Sequence, residues 1–228
     1  SINLTVPENK LVEFENFEMS SYRQTYKIGE PLNIAMLYKF DGIDPETGRY
    51  RILDANGDGR YDFEDRIITQ PLGRQYYGGI HNNFRFGNFN LEFLVQYIRQ
   101  DGYSISQITT PPGRYGNTTR DVLRAWQQQG DPEDIQKLSQ SVYSLLSYNE
   151  AMNSDLVVQD NSFLRLKTLS IGYRFPTGFL DHLGVRELNL FAHVQNLFTL
   201  TDYKGLDPET GNNIPPLRTF TAGLQLNL

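Results

Sequence analysis

The densest group of side chains able to do chemistry lies at residues 54–65, which read DANGDGRYDFED. Side-chain oxygens recur at the first, third and fifth places (Asp54, Asn56 and Asp58), and Gly59 stands at the sixth, where the chain must turn sharply. Arg60 would offer its main-chain carbonyl at the seventh place, with Asp62 at the ninth and Asp65 at the twelfth. Hard cations such as Ca2+ are held by roughly six to eight oxygens, and this spacing wraps one loop around such an ion. The twelfth residue is Asp, where the longer Glu would give bidentate reach, so the expected affinity is weak. No nucleophile stands nearby, and the expected role of a cation is structural, ordering a loop. The same residues also suit an Asx- and Gly-rich turn that closes on its own backbone without an ion.

Other chemistry is thin. The histidines are His81, His182 and His193. His81 and His193 fall on the polar parity of separate, non-adjacent strands, which favours hydrogen-bonded imidazoles over a metal pair or a dyad. No nucleophile elbow, phosphate loop or paired-carboxylate signature is present, so no enzyme is expected. Cysteine is absent, which removes disulfides and thiolate metal sites. A net charge of −6 gives no basic field for nucleic acid. A turn occurs twice, as Gly42-Ile43-Asp44-Pro45-Glu46-Thr47-Gly48 and Gly205-Leu206-Asp207-Pro208-Glu209-Thr210-Gly211. Twin loop tips are the expectation, since Asp-Pro followed by Gly favours a tight reversal.

The elements that must carry these groups are strands. Residues 218–228 alternate cleanly, with Phe220, Ala222, Leu224, Leu226 and Leu228 opposite Thr219, Thr221, Gly223, Gln225 and Asn227. The same period recurs at residues 75–86, 89–100, 162–175 and 187–198, and residues 1–8 look like the end of another strand. An antiparallel all-β protein follows, either a sandwich or a transmembrane β-barrel. Gly87-Asn88 and residues 176–185 make short links, whereas residues 9–74, 101–160 and 201–216 make long ones. Strict alternation of short and long links is what outer-membrane barrels show, with short periplasmic turns and long extracellular loops. Aromatic content of 13% with a mean hydropathy of −0.49 fits a wall whose oily face is diluted by polar lumen and loops. On the apolar parity of 162–175, Arg165 and Lys167 are expected at headgroup height.

Within the long links, residues 32–40 read as a short hairpin strand. Residues 119–128 carry Val122, Leu123 and Trp126 at helical spacing, and Asp131-Pro132 reads as an N-cap with Pro at the first helical place. Tyr103, Tyr115, Trp126, Tyr143 and Tyr148 give the 101–160 link aromatic faces suited to sugar rings, to a protein partner or to self-packing. Ser1 leads at once into the strand-like Ile2-Asn3-Leu4-Thr5-Val6, so a processed chain or a fragment is expected.

Several stretches resemble one family, the SusC/RagA-type TonB-linked outer-membrane proteins. They are Phe40-Asp41-Gly42-Ile43-Asp44, Asp54-Ala55-Asn56-Gly57-Asp58-Gly59, Gly78-Gly79 to Asn83 and Ser162-Phe163-Leu164-Arg165-Leu166-Lys167. They continue with Gln195-Asn196-Leu197-Phe198-Thr199, Asp202 to Glu209 and Arg218-Thr219-Phe220-Thr221. The resemblance implies the C-terminal strands of a barrel of about 22 strands, with the N-terminal plug and the TonB-contacting segment lying outside this sequence. It further implies import of oligosaccharides or peptides across the bacterial outer membrane with a SusD-like surface lipoprotein, driven through TonB. The sequence departs from outer-membrane custom in ending on Leu228 and not on an aromatic residue. Two other readings remain: a siderophore- or cobalamin-type receptor, and a secreted calcium-binding β-sandwich acting in adhesion.

Overall fold

The computed structural model describes residues 1–104, 110–118, 120–131, 134–180, 184–211 and 213–227. Pro132, His182 and Leu228 lie outside them. In chain order the strands are β1 (Ile2–Thr5), β2 (Ile34–Leu37), β3 (Phe40–Ile43), β4 (Tyr50–Ile52), β5 (Ile68–Pro71) and β6 (Gly73–Phe86). They continue with β7 (Phe89–Tyr103), β8 (Val158–Asp160), β9 (Phe163–Arg174), β10 (Glu187–Leu200) and β11 (Thr219–Asn227). One helix of more than two turns is present among the described residues, α1 (Val142–Ala151). The chain divides into two compact units, residues 1–7, 74–100 and 161–228 forming a wall, and residues 8–73 and 101–160 forming a second body.

The wall is one antiparallel sheet in the order β1-β6-β7-β9-β10-β11. Gly87, at φ 55°, makes the reversal between β6 and β7 in a conformation that side chains resist. Cross-strand partners sort the side chains by type. Leu190 lies between Tyr173 and Leu224, Ala192 between Ile171 and Ala222, and Val194 between Leu169 and Phe220. On the opposite face His193 lies between Ser170 and Thr221, and Asn189 faces Gln225. The oily face is left open: Phe220 is 68% exposed, Leu224 59% and Ile171 46%. Burying such a side chain is worth about 1.5–3 kcal/mol, so a face of this size is stable only against apolar surroundings. Within this unit the described strands form this one sheet. β6, β7, β9, β10 and β11 run 14, 15, 12, 14 and 9 residues, enough for a tilted crossing of a bilayer, which takes about 9–11. Among the described residues no helix is long and apolar enough to cross a membrane.

A bulge corrects the sequence reading at the long-link end of β9. Thr168 faces Leu94 and Gln195, but the next matched residue is Leu166, facing Val95 and Phe198. Lys167 is the extra residue, and beyond it the parity of β9 inverts. Leu164 and Leu166 therefore join the oily face, while Arg165 and Phe163 join the polar one. Arg165 thus leaves the apolar face on which the sequence parity had put it and turns to Asp207, Glu209 and Thr199. Asn196, opposite the slip, takes a left-handed φ of 51°, a conformation Asn tolerates better than most residues.

In the second body β2 pairs with β5 and β3 with β4. Tyr50, Tyr148 and Ala151 form its core, packed by Phe40, Ile43, Met152 and Leu156. Gln136, fully buried, ties that core together. Its amide nitrogen donates to the Ser144 carbonyl at 2.9 Å, and its oxygen accepts from Ser147 Oγ at 3.1 Å and the Tyr50 N–H at 3.3 Å. The helix expected over 119–128 is only a single 3-10 turn at Arg120–Arg124. The Asp131-Pro132 start expected for a helix falls partly outside the described residues. The Asp131 carboxylate accepts the N–H groups of Gln127 and Gln128 behind it, both at 2.8 Å. The real helix is α1, opened by Ser141, whose hydroxyl accepts the Tyr143 N–H at 3.2 Å. Its buried positions include Ser144 and Ser147, so its inner face does not read as apolar.

Candidate functional site

The loop at residues 54–65 joins β4 to β5 in the second body. Gly57 and Gly59, at φ 75° and 78°, turn the chain so that side-chain oxygens fold back on the backbone. Asp54 accepts the N–H of Gly57 through Oδ1 at 2.7 Å and that of Gly59 through Oδ2 at 2.9 Å. Asn56 accepts from Asp58 at 3.0 Å, and Asp58 accepts from Arg60 at 2.8 Å. The second half of the loop is committed differently. Asp62 caps the 3-10 turn Phe63–Asp65 by accepting the Glu64 N–H at 2.8 Å. Asp65 reaches back to the Asp62 N–H at 3.0 Å and takes the Ala55 N–H at 2.8 Å, closing a capping box. Asp65 is fully buried. The Asp62 N–H above all, with those of Ala55 and Asn56, holds its carboxyl below the ordinary value of 3.8 against the opposing pull of burial.

Tested against a cation, the first half of the loop has the oxygen types and the glycine turn that an ion needs, with Asp54, Asn56, Asp58 and the Arg60 carbonyl as the holders. The side-chain oxygens of both halves already accept backbone N–H groups, those of Asp54, Asn56 and Asp58 as well as those of Asp62 and Asp65. Among the described residues no three His, Asp or Glu side chains gather closely enough to hold a metal ion.

A second constellation lies in the wall unit. Arg165 is 1% exposed and spends its donors on three partners: Asp207 Oδ2 at 2.5 Å, Glu209 Oε2 at 2.8 Å and Thr199 Oγ1 at 2.9 Å. Its guanidinium carbon also lies 4.7 Å from the centre of the Phe163 ring. Glu209 is shared further, with Lys167 at 3.5 Å and Arg74 at 3.6 Å. Asp207 builds its own Asx turn, Oδ1 accepting the N–H groups of Glu209 at 2.9 Å and Thr210 at 3.2 Å. The second of the twin turns is thus an anchor as well as a loop tip. The first keeps the same local geometry, Asp44 Oδ1 accepting from Thr47 N–H and Thr47 Oγ1, both at 2.7 Å. Sequence reasoning missed the anchor because the bulge at Lys167 decides where Arg165 points. The repeated Asp-Pro-Glu-Thr-Gly was its only trace.

His81 and His193 stay apart on the polar face. His81 on β6 lies 2.9 Å from Glu92, and His193 on β10 lies 3.4 Å from Gln195. Of the loop aromatics, Tyr148 is core and Trp126 rests its ring on Gly48 of the Asp44 turn. Tyr115, Tyr143 and Tyr103 are exposed.

No protein-family model matches the chain. Among curated proteins it is similar to TonB-dependent receptor P3 of Formosa agariphila, 30% identical over 202 residues that cover 80% of this chain and 19% of the relative. It is also similar to TonB-dependent receptor SusC of Bacteroides thetaiotaomicron, 27% identical over 220 residues covering 89% and 20%. The chain spans about a fifth of the length of the curated relatives it matches. Among solved structures it is similar to the RagAB peptide importer in the closed-closed state, with a TM-score of 0.68 and 23% identity over 88% of this chain and 23% of that one. A further structure of the RagAB peptide transporter gives a TM-score of 0.67 at 24% identity over the same shares. That likeness gives the sheet its fold, a stretch of β-barrel wall. The chain is a β-barrel segment of the SusC/RagA type of TonB-dependent receptor, a protein of the bacterial outer membrane.

Proposed function

We infer that this segment belongs to an importer of large nutrients, oligosaccharides or peptides, which works with a SusD-like surface lipoprotein and draws energy through TonB. It contributes barrel wall and loop surface, and no catalysis. The observation that carries this reading is the pairing of one open apolar face, continuous across β6 to β11, with links that are short at one rim and long at the other. The names of its relatives, TonB-dependent receptors and a peptide importer, support the class. Deleting the gene for the full receptor is expected to abolish growth on one polymeric glycan or peptide source while growth on its monomers is kept. A defect confined to siderophore or cobalamin supply would favour that rival instead. Removing residues 112–140 is expected to weaken lipoprotein capture or uptake while surface display is kept, and both unchanged would count against a partner or vestibule role.

We further propose that residues 54–65 take Ca2+ weakly as a structural ion, held by Asp54, Asn56, Asp58, the Arg60 carbonyl, Asp62 and Asp65. The turn at Gly59 and the spacing of the oxygen-bearing residues support it. The capping box of Asp62 and Asp65 competes with it, which keeps the affinity low.

A further inference from the structure

On the polar face of the wall, the ring of Phe191 stands among hydrogen-bonding side chains. Phe191 on β10 is paired with Gly172 on β9 and with Gly223 on β11, and it is 43% exposed. A β-carbon added at Gly223 would meet the ring at 2.3 Å, so the ring bends over the backbone of β11 and keeps its outer side open. At Gly172 the nearest atoms to an added β-carbon, from Asn90 and Leu190, lie at 3.8 and 3.9 Å. The two glycines thus leave a shallow trough in this face, with the ring lying over one of them. Around it the same face presents Asn90, Ser170, Asn189, His193, Thr221 and Gln225, from this row of cross-strand partners and the rows beside it. The side chains of Asn90, Ser170, Thr221 and Gln225 have no hydrogen-bond partner among the described residues. The nearest charged groups are already engaged, Arg174 with Glu187 at 3.0 Å and Glu92 with His81 at 2.9 Å.

We propose that Phe191 is a stacking platform for one pyranose ring of an oligosaccharide, with the surrounding amide, hydroxyl and imidazole groups taking the sugar hydroxyls. A pyranose has an apolar C–H face and a rim of hydroxyls. This surface is its complement, a bare aromatic face bordered by groups that both donate and accept. A charged cargo finds no unmatched partner here. An apolar peptide side chain is held best in a concave pocket that takes most of its surface out of water, which an open ring with a polar border does not supply. The ring's cover of Gly223 also steadies the sheet, and that role is separable from binding. The proposal rests on the importer reading, with the polar face lining the barrel interior, and narrows its cargo to oligosaccharide.

The test uses the full receptor that carries this segment, in detergent, with para-fluorophenylalanine in place of Phe191. Its fluorine resonance is expected to shift saturably with at least one of maltohexaose, cellohexaose, xylohexaose and mannohexaose, and to stay in place with hexa-alanine. The same label in place of Phe220, on the oily face, should not respond to any of them. No shift with any sugar, a shift with hexa-alanine, or an equal shift at position 220 would each overturn the proposal, the second in favour of a peptide subsite. With the responding sugar, Phe191→Leu should weaken binding roughly fivefold, whereas Phe191→Tyr should stay within about twofold of wild type. Both variants keep Gly223 covered, so equal binding by all three would leave the ring a structural part only. Folding is checked by heat-modifiable gel mobility. If Phe191→Leu does not fold, the fluorine resonance, read on a receptor altered by one atom, decides alone. A receptor that imports its cargo while the resonance at position 191 ignores every sugar defeats this inference and leaves the importer reading standing.

Discussion

Arg165 Nη2 meets Asp207 Oδ2 at 2.5 Å across 42 positions of sequence, with the arginine almost wholly out of water. Glu209 and Thr199 take its other donors, so Arg165 is the buried hub that fastens the 201–216 link to β9, with Lys167 adding a second contact to Glu209. Removing one partner of a buried pair leaves the other charge desolvated, which costs about 3–5 kcal/mol. Arg165→Met is therefore expected to open residues 201–217 to limited proteolysis and to lower the melting temperature of the full receptor. Arg165→Met combined with Asp207→Asn should recover most of the loss. Equal sensitivity of the single and double variants would refute this account.

The bulge at Lys167 makes a parity prediction. Cysteine at Leu166 or Ile171 should react with a lipid-soluble maleimide, and cysteine at Ser170 with a water-soluble one. Unbroken alternation would put Leu166 with Ser170, so reaction of Leu166→Cys from the aqueous side alone would remove the bulge.

Trp126 is the single tryptophan of the sequence and lies on Gly48, which sits at φ 67°. A methyl group there meets the ring and also strains the backbone. Gly48→Ala should shift and quench or enhance Trp126 emission and destabilise the second body by roughly 1–3 kcal/mol. Emission identical to wild type would show that the ring does not rest there.

Acid should loosen the 54–65 loop in a defined direction. The Asp65 carboxyl is held below 3.8 by backbone N–H donors, so its contribution to stability is full above that value and is lost as pH falls through the lower folded value. Asp65→Asn should lose the charge-assisted contacts and flatten the acid limb of the unfolding curve below pH 4. An acid limb identical in wild type and variant would refute it.

Terbium provides the cation test, with Tyr61 inside the loop as sensitiser. Emission displaced by Ca2+ in the range of about 0.1–1 mM, and abolished by Asp54→Ala, is the expected outcome. Lack of sensitised emission in the wild type would leave the loop closed by its backbone alone.

Much of the wall is legible from period-two alternation, because one face of each strand meets an oily medium and the other does not. The turn chemistry of the twin Asp-Pro-Glu-Thr-Gly segments is equally local, resting on Asx geometry and a glycine. What stays hidden depends on neighbours. The inversion at Lys167 exists only in the pairing of β9 with β7 and β10, and it carries Arg165 from one face to the other. α1 hides for another reason, since Ser144 and Ser147 occupy its buried side and satisfy a buried glutamine, leaving no apolar stripe to read.

The wall and the second body are interleaved along the chain, and the chain passes between them near residues 7, 73, 100 and 160. Each body keeps its own interior. Mutations that reshape one need not be matched by compensating changes in the other. The second body can thus diversify at a pace of its own, separate from that of the strands. Lineages descended from one ancestral receptor are then expected to differ most at residues 8–73 and 101–160 and least along the membrane strands.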